Sequence, residues 1–282
     1  MRYAIHGLVV ESPWELAEVP ASDAQADIQV TVAGRGSEHP PQKPRRSPSR
    51  WDVLQDDFRA VVRDGSVIEV FSEVDDETAP IYLMGSCMGA VLLQRGFLPL
   101  HANAVSVRGS AVLLAGDQGA GKSTLAAALR AVGHVVITDD LCCLEEGQGE
   151  FRVRAGYQRL RLWGDSLALL GMSSHGLSRI RPELDKYLVV LNEPVPPPGV
   201  VSRVYILERD EECELHQLQG IAKLEALDRH VYRGQIENRN RNFPHLLPQL
   251  LQLARSTAVK TLSRGPTTTL PELVHRIEED CS

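Results

Sequence analysis

At 282 residues and 31.1 kDa the chain can bury a full core, in one large domain or two modest ones. Its net charge of −7 and pI near 5.7 argue against a general nucleic-acid or anionic-membrane binder, which would carry a basic surplus. No run of about 18 apolar residues occurs, the start Met1–Gly7 lacks a secretory apolar core, and five cysteines without CxxC spacing read as reduced thiols, so a cytoplasmic protein with neither nucleic-acid nor membrane partner is expected.

In chain order, the first third reads as strand-rich. Tyr3 to Val10 and Asp27 to Val32 alternate apolar and polar residues, with turn formers between them. Gly34 to Ser49 is loaded with Gly, Pro, Ser and Arg and reads as a surface loop; Lys43, Arg45, Arg46 and Arg50 make a local basic patch there, for which a solvated loop is the plainer reading. Trp51 to Val62 and Ser66 to Val74 read as strands around the turn Arg63-Asp64-Gly65, and Ile81 to Gly96 has helical spacing. No catalytic constellation falls in this part, so residues 1–98 are expected to form a small strand-rich N-terminal lobe and residues 99–282 a catalytic domain.

The middle of the chain changes character. Ala102 to Val107 is a strand, Arg108-Gly109-Ser110 a tight turn, and Ala111 to Ala115 a strand apolar on both faces, as in a buried sheet. Ser123 to Val132 reads as a helix. Val135 to Thr138 is a second buried strand, which Leu141 to Leu144 continues past Asp139 and Asp140, with Phe151 to Val153 as a hairpin return. Leu160 to Trp163 and Val201 to Glu208 follow as strand candidates, and Pro244 to Ala258 and Pro271 to Asp280 as amphipathic helices.

Between strand and helix lies Gly116-Asp117-Gln118-Gly119-Ala120-Gly121-Lys122-Ser123, which fits GxxxxGK[ST]. Each part of the pattern has a task. The glycines let consecutive backbone N–H groups turn inward around a β-phosphate, Lys122 places a charge between β- and γ-phosphates, and the Ser123 hydroxyl ligates Mg²⁺. The helix opening at Lys122, Ser123 and Thr124 points its positive end at the anion. The pattern predicts a nucleoside triphosphate site, with ATP and Mg²⁺ as cofactors. Asp139 and Asp140 end the next strand and should reach the same sheet edge. One carboxylate there partners the metal, and a second adjacent one can take a proton from an attacking hydroxyl. His101 and His134, taken alone, read as structural hydrogen-bonders.

The assembly Leu100-His101-Ala102, strand, phosphate loop with Thr124, helix, Gly133-His134, strand, Thr138-Asp139-Asp140 resembles the HPr kinase/phosphorylase family. Lys122 lies 21 residues after His101, and the aspartates 17 and 18 residues after Lys122. The resemblance implies an α/β fold with a P-loop kinase core of the HPr kinase/phosphoenolpyruvate carboxykinase type, acting on a seryl hydroxyl. It implies that Asp139 is the metal-associated aspartate, Asp140 the general base, and His101 an active-site histidine near acceptor and γ-phosphate. Self-association is a habit of that family that the sequence does not address.

The chain departs from bacterial HPr kinases at Thr124, where they usually carry Glu, and it lacks their EIRGxG-like stretch. Gly156 to Trp163 stands there instead, with Arg159 and Arg161 as candidates for steering phosphate or acceptor. In these respects it looks closer to HPr-kinase-like proteins of ribosomal peptide clusters, including lasso-peptide kinases that phosphorylate a precursor's serine. The expectation is a kinase acting on a serine-containing peptide or small protein. A small-molecule kinase on the same scaffold, or a nucleotide-sensing ATPase without an acceptor, remain the alternatives.

Overall fold

The computed structural model describes residues 1–33, 44–55, 58–71, 76, 78–181, 183–232 and 242–282. Contacts divide the chain into two units, Met1–Pro99 with Val231–Leu250, and Leu100–His230 with Leu251–Ser282. Residues 231–250, which the boundaries 1–98 and 99–282 assign to the C-terminal domain, group by contacts with the first unit.

In the first unit, β1 (Arg2–Ile5) and β2 (Leu8–Glu11) form an antiparallel hairpin. The single strand expected over Tyr3 to Val10 is broken at His6 and Gly7, whose φ of 52° and 70° give the two-residue turn that matches strand twist. β3 (Ile28–Val32), β4 (Arg50–Gln55), β5 (Phe58–Arg63) and β6 (Val67–Val70) complete a sheet in the order β1-β2-β3-β6-β5-β4. The stretch expected as one strand from Trp51 to Val62 is thus the antiparallel pair β4 and β5. Of the expected surface loop, residues 34–43 lie outside the described residues, as does the end of the strand expected over Ser66 to Val74.

The helical stretch expected from Ile81 begins earlier. It runs as α1 (Thr78–Tyr82), a widened i→i+5 turn at Leu83–Cys87, and α2 (Met88–Gln94). A side chain at Gly89 would meet the Tyr232 ring at 2.4 Å, so the close packing of that ring on α2 requires glycine.

The second unit is a mixed α/β fold. One division between units falls within β7 (Leu98–Leu100). Then come β8 (Ala102–Val107), β9 (Ser110–Gly116), α3 (Lys122–Ala131) and β10 (Val135–Thr138). Next are β11 (Cys142–Gly147), β12 (Glu150–Arg154), β13 (Arg159–Trp163), α4 (Gly164–Leu169) and β14 (Lys186–Val190). β15 (Gly199–Arg209), β16 (Leu215–Gln217), α5 (Gly220–Arg229), α6 (Leu246–Ser256), β17 (Ala258–Arg264) and α7 (Leu270–Asp280) finish the chain, the last division falling within α6.

The long strand β15 organises the sheet. One side of it runs parallel to β9; the other pairs first with β12 and then, in parallel, with β17. On the far side of β9, β8 is antiparallel to both β9 and β10. The carboxyl ends of β9, β10, β15 and β17 therefore share one sheet edge with the amino end of β8. Helix α3 covers the sheet, burying Leu125 and Leu129 against Val105, Val112 and Leu114, with Leu273 and Ile277 of α7 in the same core. Each such side chain contributes about 1.5–3 kcal/mol by leaving water. Thr269 caps α7, its hydroxyl accepting from the Glu272 N–H at 3.3 Å.

Leu141 to Leu144 does not prolong β10. Asp140 adopts φ 68°, which turns the chain out of β10, and Cys142 opens a separate strand paired with β12. Strands β14 and β17 and helix α5 were not anticipated. β17 follows α6 after a single residue, so its apolar positions blend into the helical pattern. All five cysteines are free thiols; Cys142 and Cys143 are buried on β11, and burial raises both of their pKa values, that of Cys143 to about 12. Among the described residues no helix is long and apolar enough to cross a membrane.

Candidate active site

The buried strand β9 ends at Gly116, and the loop Asp117 to Gly121 turns from it into α3. Gly116 has φ 145°, and a side chain there would meet the Leu207 carbonyl oxygen at 2.8 Å. Gly121 has φ 102°, a left-handed conformation from which the helix starts. The loop and α3 thus have the form the phosphate-binding pattern predicts, with a strand before and a helix N-terminus after. Lys122 is buried and donates through Nζ to the carbonyls of Gly116 at 2.8 Å and Asp117 at 3.2 Å. Burial lowers its pKa, partly opposed by Asp140 and Asp139. Thr124 donates to Ser166 Oγ of α4 at 2.9 Å.

The sheet edge brings the aspartates to this loop. Ser123 Oγ donates to Asp139 Oδ1 at 3.0 Å, and Asn103 Nδ2 donates to the same oxygen at 2.6 Å. The backbone N–H of Arg161 donates to Oδ2 at 3.2 Å. Asp139 is fully buried, and burial, reinforced by the adjacent Asp140 carboxylate, lifts its pKa to about 6. Asp140 is half-exposed, and its Oδ1 lies 3.3 Å from His101 Nδ1. The same nitrogen is 3.0 Å from the Asp140 carbonyl oxygen. Both facing atoms are acceptors when Asp140 is ionised, so Nδ1 carries the hydrogen. His101 is itself held by its N–H to the His230 carbonyl at 2.8 Å.

His101, Gly121, Lys122, Ser123, Thr124, Asp140 and Ser166 line a cleft of about 730 Å³, bounded also by Gln118, Gly119, Trp163, Asp165, Leu169, Arg161, Lys186, Arg209 and Arg264; Asp139 is buried and touches it through Ser123. Five cationic side chains (Lys122, Arg161, Lys186, Arg209 and Arg264) face two carboxylates, Asp140 and Asp165, so the cleft is basic within an acidic chain and suits a polyanion. Arg209 reaches the loop, donating to the Gly119 carbonyl at 3.3 Å, and the Arg264 guanidinium lies against Gly121. Lys186 is half-buried, its Nζ 5.3 Å from the centre of the Trp163 ring, and its ammonium makes no hydrogen bond or ion pair among the described residues. Burial lowers its pKa, with Asp140 and Asp139 pulling the other way.

A magnesium ion fits the donor set. An octahedral ion with bonds near 2.1 Å places adjacent ligands about 3 Å apart, and Ser123 Oγ and Asp139 Oδ1 are 3.0 Å apart. Among the described residues no group of three or more His, Cys, Asp and Glu is arranged to hold a metal ion, so this site would depend on the nucleotide's own oxygens. Two protein oxygens leave coordination positions for phosphate oxygens and water, as is usual for this ion.

His101, the loop residues, Asp139, Asp140 and Arg161 therefore converge. Arg159 goes elsewhere: it is buried with its guanidinium 4.3 Å from the Tyr157 ring centre, and it is not among the residues lining the cleft. His134 pairs with Glu278 at 2.9 Å. Asn103, Lys186, Arg209 and Arg264 were missed by sequence reasoning. Asn103 left one signal, as a polar residue two positions from His101 in an apolar strand; the other three depend on strand pairings that only the fold reveals.

No family model matches the chain. It is 33% identical over 111 residues to an HPr kinase/phosphorylase of Mycoplasmopsis pulmonis (strain UAB CTIP), a match covering 38% of this chain and 36% of that relative. The chain thus spans about a third of the relative's length. The Hpr(Ser) kinase/phosphatase from Coxiella burnetii aligns at 12% identity with a TM-score of 0.34, over 65% of this chain and 94% of that one. Over the 111-residue stretch the chain is similar in sequence to an HPr kinase/phosphorylase.

Proposed function

We propose that the chain is an ATP-dependent kinase that transfers the γ-phosphoryl group to a serine hydroxyl of a peptide or small protein, with a lasso-type precursor peptide as candidate acceptor. One observation carries this reading: the phosphate loop and the Asp140–His101 pair line a single basic cleft, and Ser123 of that loop hydrogen-bonds the buried Asp139. The similarity to an HPr kinase/phosphorylase supports kinase chemistry in general; the peptide acceptor rests on the resemblance of motifs.

The chemistry asks for positioning and charge neutralisation more than for covalent steps. The loop N–H groups and the α3 N-terminus bind the phosphates. Lys122 exchanges the Gly116 and Asp117 carbonyls for phosphate oxygens, a change an ammonium held by neutral acceptors favours. Ser123 and Asp139 would hold Mg²⁺, which neutralises phosphate charge. As the serine oxygen bonds to the γ-phosphorus, its proton passes to Asp140 and the bond to ADP breaks. His101 Nδ1–H keeps the Asp140 carboxylate turned to the cleft. Arg161 and Lys186 receive the charge that moves with the phosphoryl group.

The experiment is incubation with γ-labelled ATP, Mg²⁺ and serine-containing peptides, followed by phosphoamino-acid analysis. Label on peptide serine is expected. Label on a metabolite alone would replace the reading with a small-molecule kinase, and release of free phosphate with no labelled acceptor would replace it with a nucleotide-sensing ATPase.

A further inference from the structure

Asn103 is fully buried near the start of β8, opposite Leu114 of β9, and is the polar member of Ala102-Asn103-Ala104-Val105. Burial of a primary amide is unfavourable unless its donors and acceptor are used. Here they are used on three residues of the site. Nδ2 donates to Asp139 Oδ1 at 2.6 Å and stands 3.3 Å from Ser123 Oγ. Oδ1 accepts the backbone N–H of Asp140 at 3.2 Å. The orientation of the amide is not interchangeable. A carboxylate can only accept and a backbone N–H can only donate, so the NH₂ must face Asp139 and the oxygen must face Asp140.

The hydrogen of Ser123 is committed to Asp139, which leaves a serine lone pair toward Asn103. Asp140 meanwhile sits at φ 68°, a conformation that L-residues other than glycine adopt at a penalty and that its neighbours must hold. Two further bonds close the same turn, Leu141 N–H to the Asp139 carbonyl at 2.8 Å and Thr138 Oγ1 to the Leu141 carbonyl at 3.0 Å. Neither of them reaches Ser123.

We infer that Asn103 is a positioning residue that locks the metal-associated carboxylate and the turn bearing the base into one register through a single amide. The inference rests on the reading of the cleft as a Mg·nucleotide phosphotransfer site. Asn103 is fully buried and does not line the cleft. It acts through Asp139, whose Oδ1 it holds beside Ser123, and through Asp140, whose backbone N–H it accepts. Groups that orient a metal-bound carboxylate in this way typically set metal affinity or activity by about 10–100-fold.

The test is Mn²⁺ binding, followed by electron paramagnetic resonance, to protein loaded with a non-hydrolysable ATP analogue. Wild type, Asn103→Ala and Asn103→Ser are compared, with metal-free analogue binding, steady-state transfer and thermal melting measured on the same samples. For Asn103→Ala the expected result is about 10–100-fold weaker Mn²⁺ binding and a lowered kcat, with metal-free analogue affinity within about twofold of wild type. Asn103→Ser, which keeps one donor toward Asp139, recovers part of the Mn²⁺ affinity, and it carries the test alone if the alanine variant does not fold. Equal Mn²⁺ affinity in wild type and folded variants overturns the role of Asn103. So does a loss of metal-free binding as large as the loss of Mn²⁺ binding, since that is general damage to the site. A wild-type protein that binds no Mn²⁺ with the analogue overturns the reading of the cleft itself.

Discussion

At the phosphate end of the cleft, eight consecutive residues from Gly116 to Ser123 supply the backbone N–H groups, the ammonium and the hydroxyl. At the other end His101, Asp140, Arg161 and Lys186, together with the buried Asn103 and Asp139, come from four separate stretches of chain. The first end is a local conformation, set by left-handed glycines and the start of a helix. The second exists only because β8 and β10 pair with a register shift between Val136 and Thr138 that delivers Asp139 to Ser123 and Asn103. The contrast predicts that nucleotide affinity and phosphoryl transfer respond to different substitutions.

A large separation is expected from Lys186→Met. Removing one well-placed cation from a transferring group lowers turnover by about 100-fold, while nucleotide affinity stays within about twofold, because the phosphate loop is untouched. Steady-state kinetics beside equilibrium binding would check this, and a parallel loss of affinity would move Lys186 to the phosphate end. Lys122→Ala should act in the opposite sense. Loss of its charge-assisted contacts weakens nucleotide binding by about 30-fold, the equivalent of roughly 2 kcal/mol, as read by calorimetry.

A third substitution should leave the contrast intact. Asp280 accepts from Tyr205 at 2.8 Å and Arg203 Nε at 3.0 Å, and pairs with Lys260, tying α7 to β15 and β17. Burial alone would raise its pKa, but the Lys260 and Tyr205 hydrogen bonds and the charges of Lys260 and Arg203 outweigh that and hold it below the ordinary carboxylate value. A carboxylate whose folded pKa is depressed contributes stability that is present above its unfolded pKa, near 4, and lost as pH falls through the lower folded value. Asp280→Asn should therefore lower unfolding stability by about 1.5 kcal/mol at pH 7. The deficit relative to wild type should shrink below pH 4 in denaturant titrations. The ratio of transfer to nucleotide affinity should not change.

The same contrast explains what the sequence made legible. The phosphate loop could be read because its chemistry is contiguous, and its helix because Ser123 to Val132 is rich in helix formers. Asp139 and Asp140 could be read because they close an apolar strand parallel to the one before the loop. The turn at Asp140 could not, since a left-handed aspartate leaves no mark in an apolar pattern, and Leu141 to Leu144 looked like the same strand continued. Arg209 and Arg264 were hidden for a different reason. They end β15 and β17, strands parallel to one another but distant in sequence, and β17 begins where an amphipathic helix has scarcely ended. Arg159 and Arg161 share one face of β13, yet only Arg161 lines the cleft, because Arg159 packs against the Tyr157 ring.

The central claim is that Asp140 takes the serine proton while the phosphate loop alone secures the nucleotide. Its most direct test is single-turnover transfer from γ-labelled ATP to a serine-containing peptide by the Asp140→Asn protein, saturated with nucleotide. Loss of a general base predicts transfer about 10²–10⁴-fold slower than wild type, with nucleotide affinity unchanged. Transfer at the wild-type rate by that variant would contradict the account.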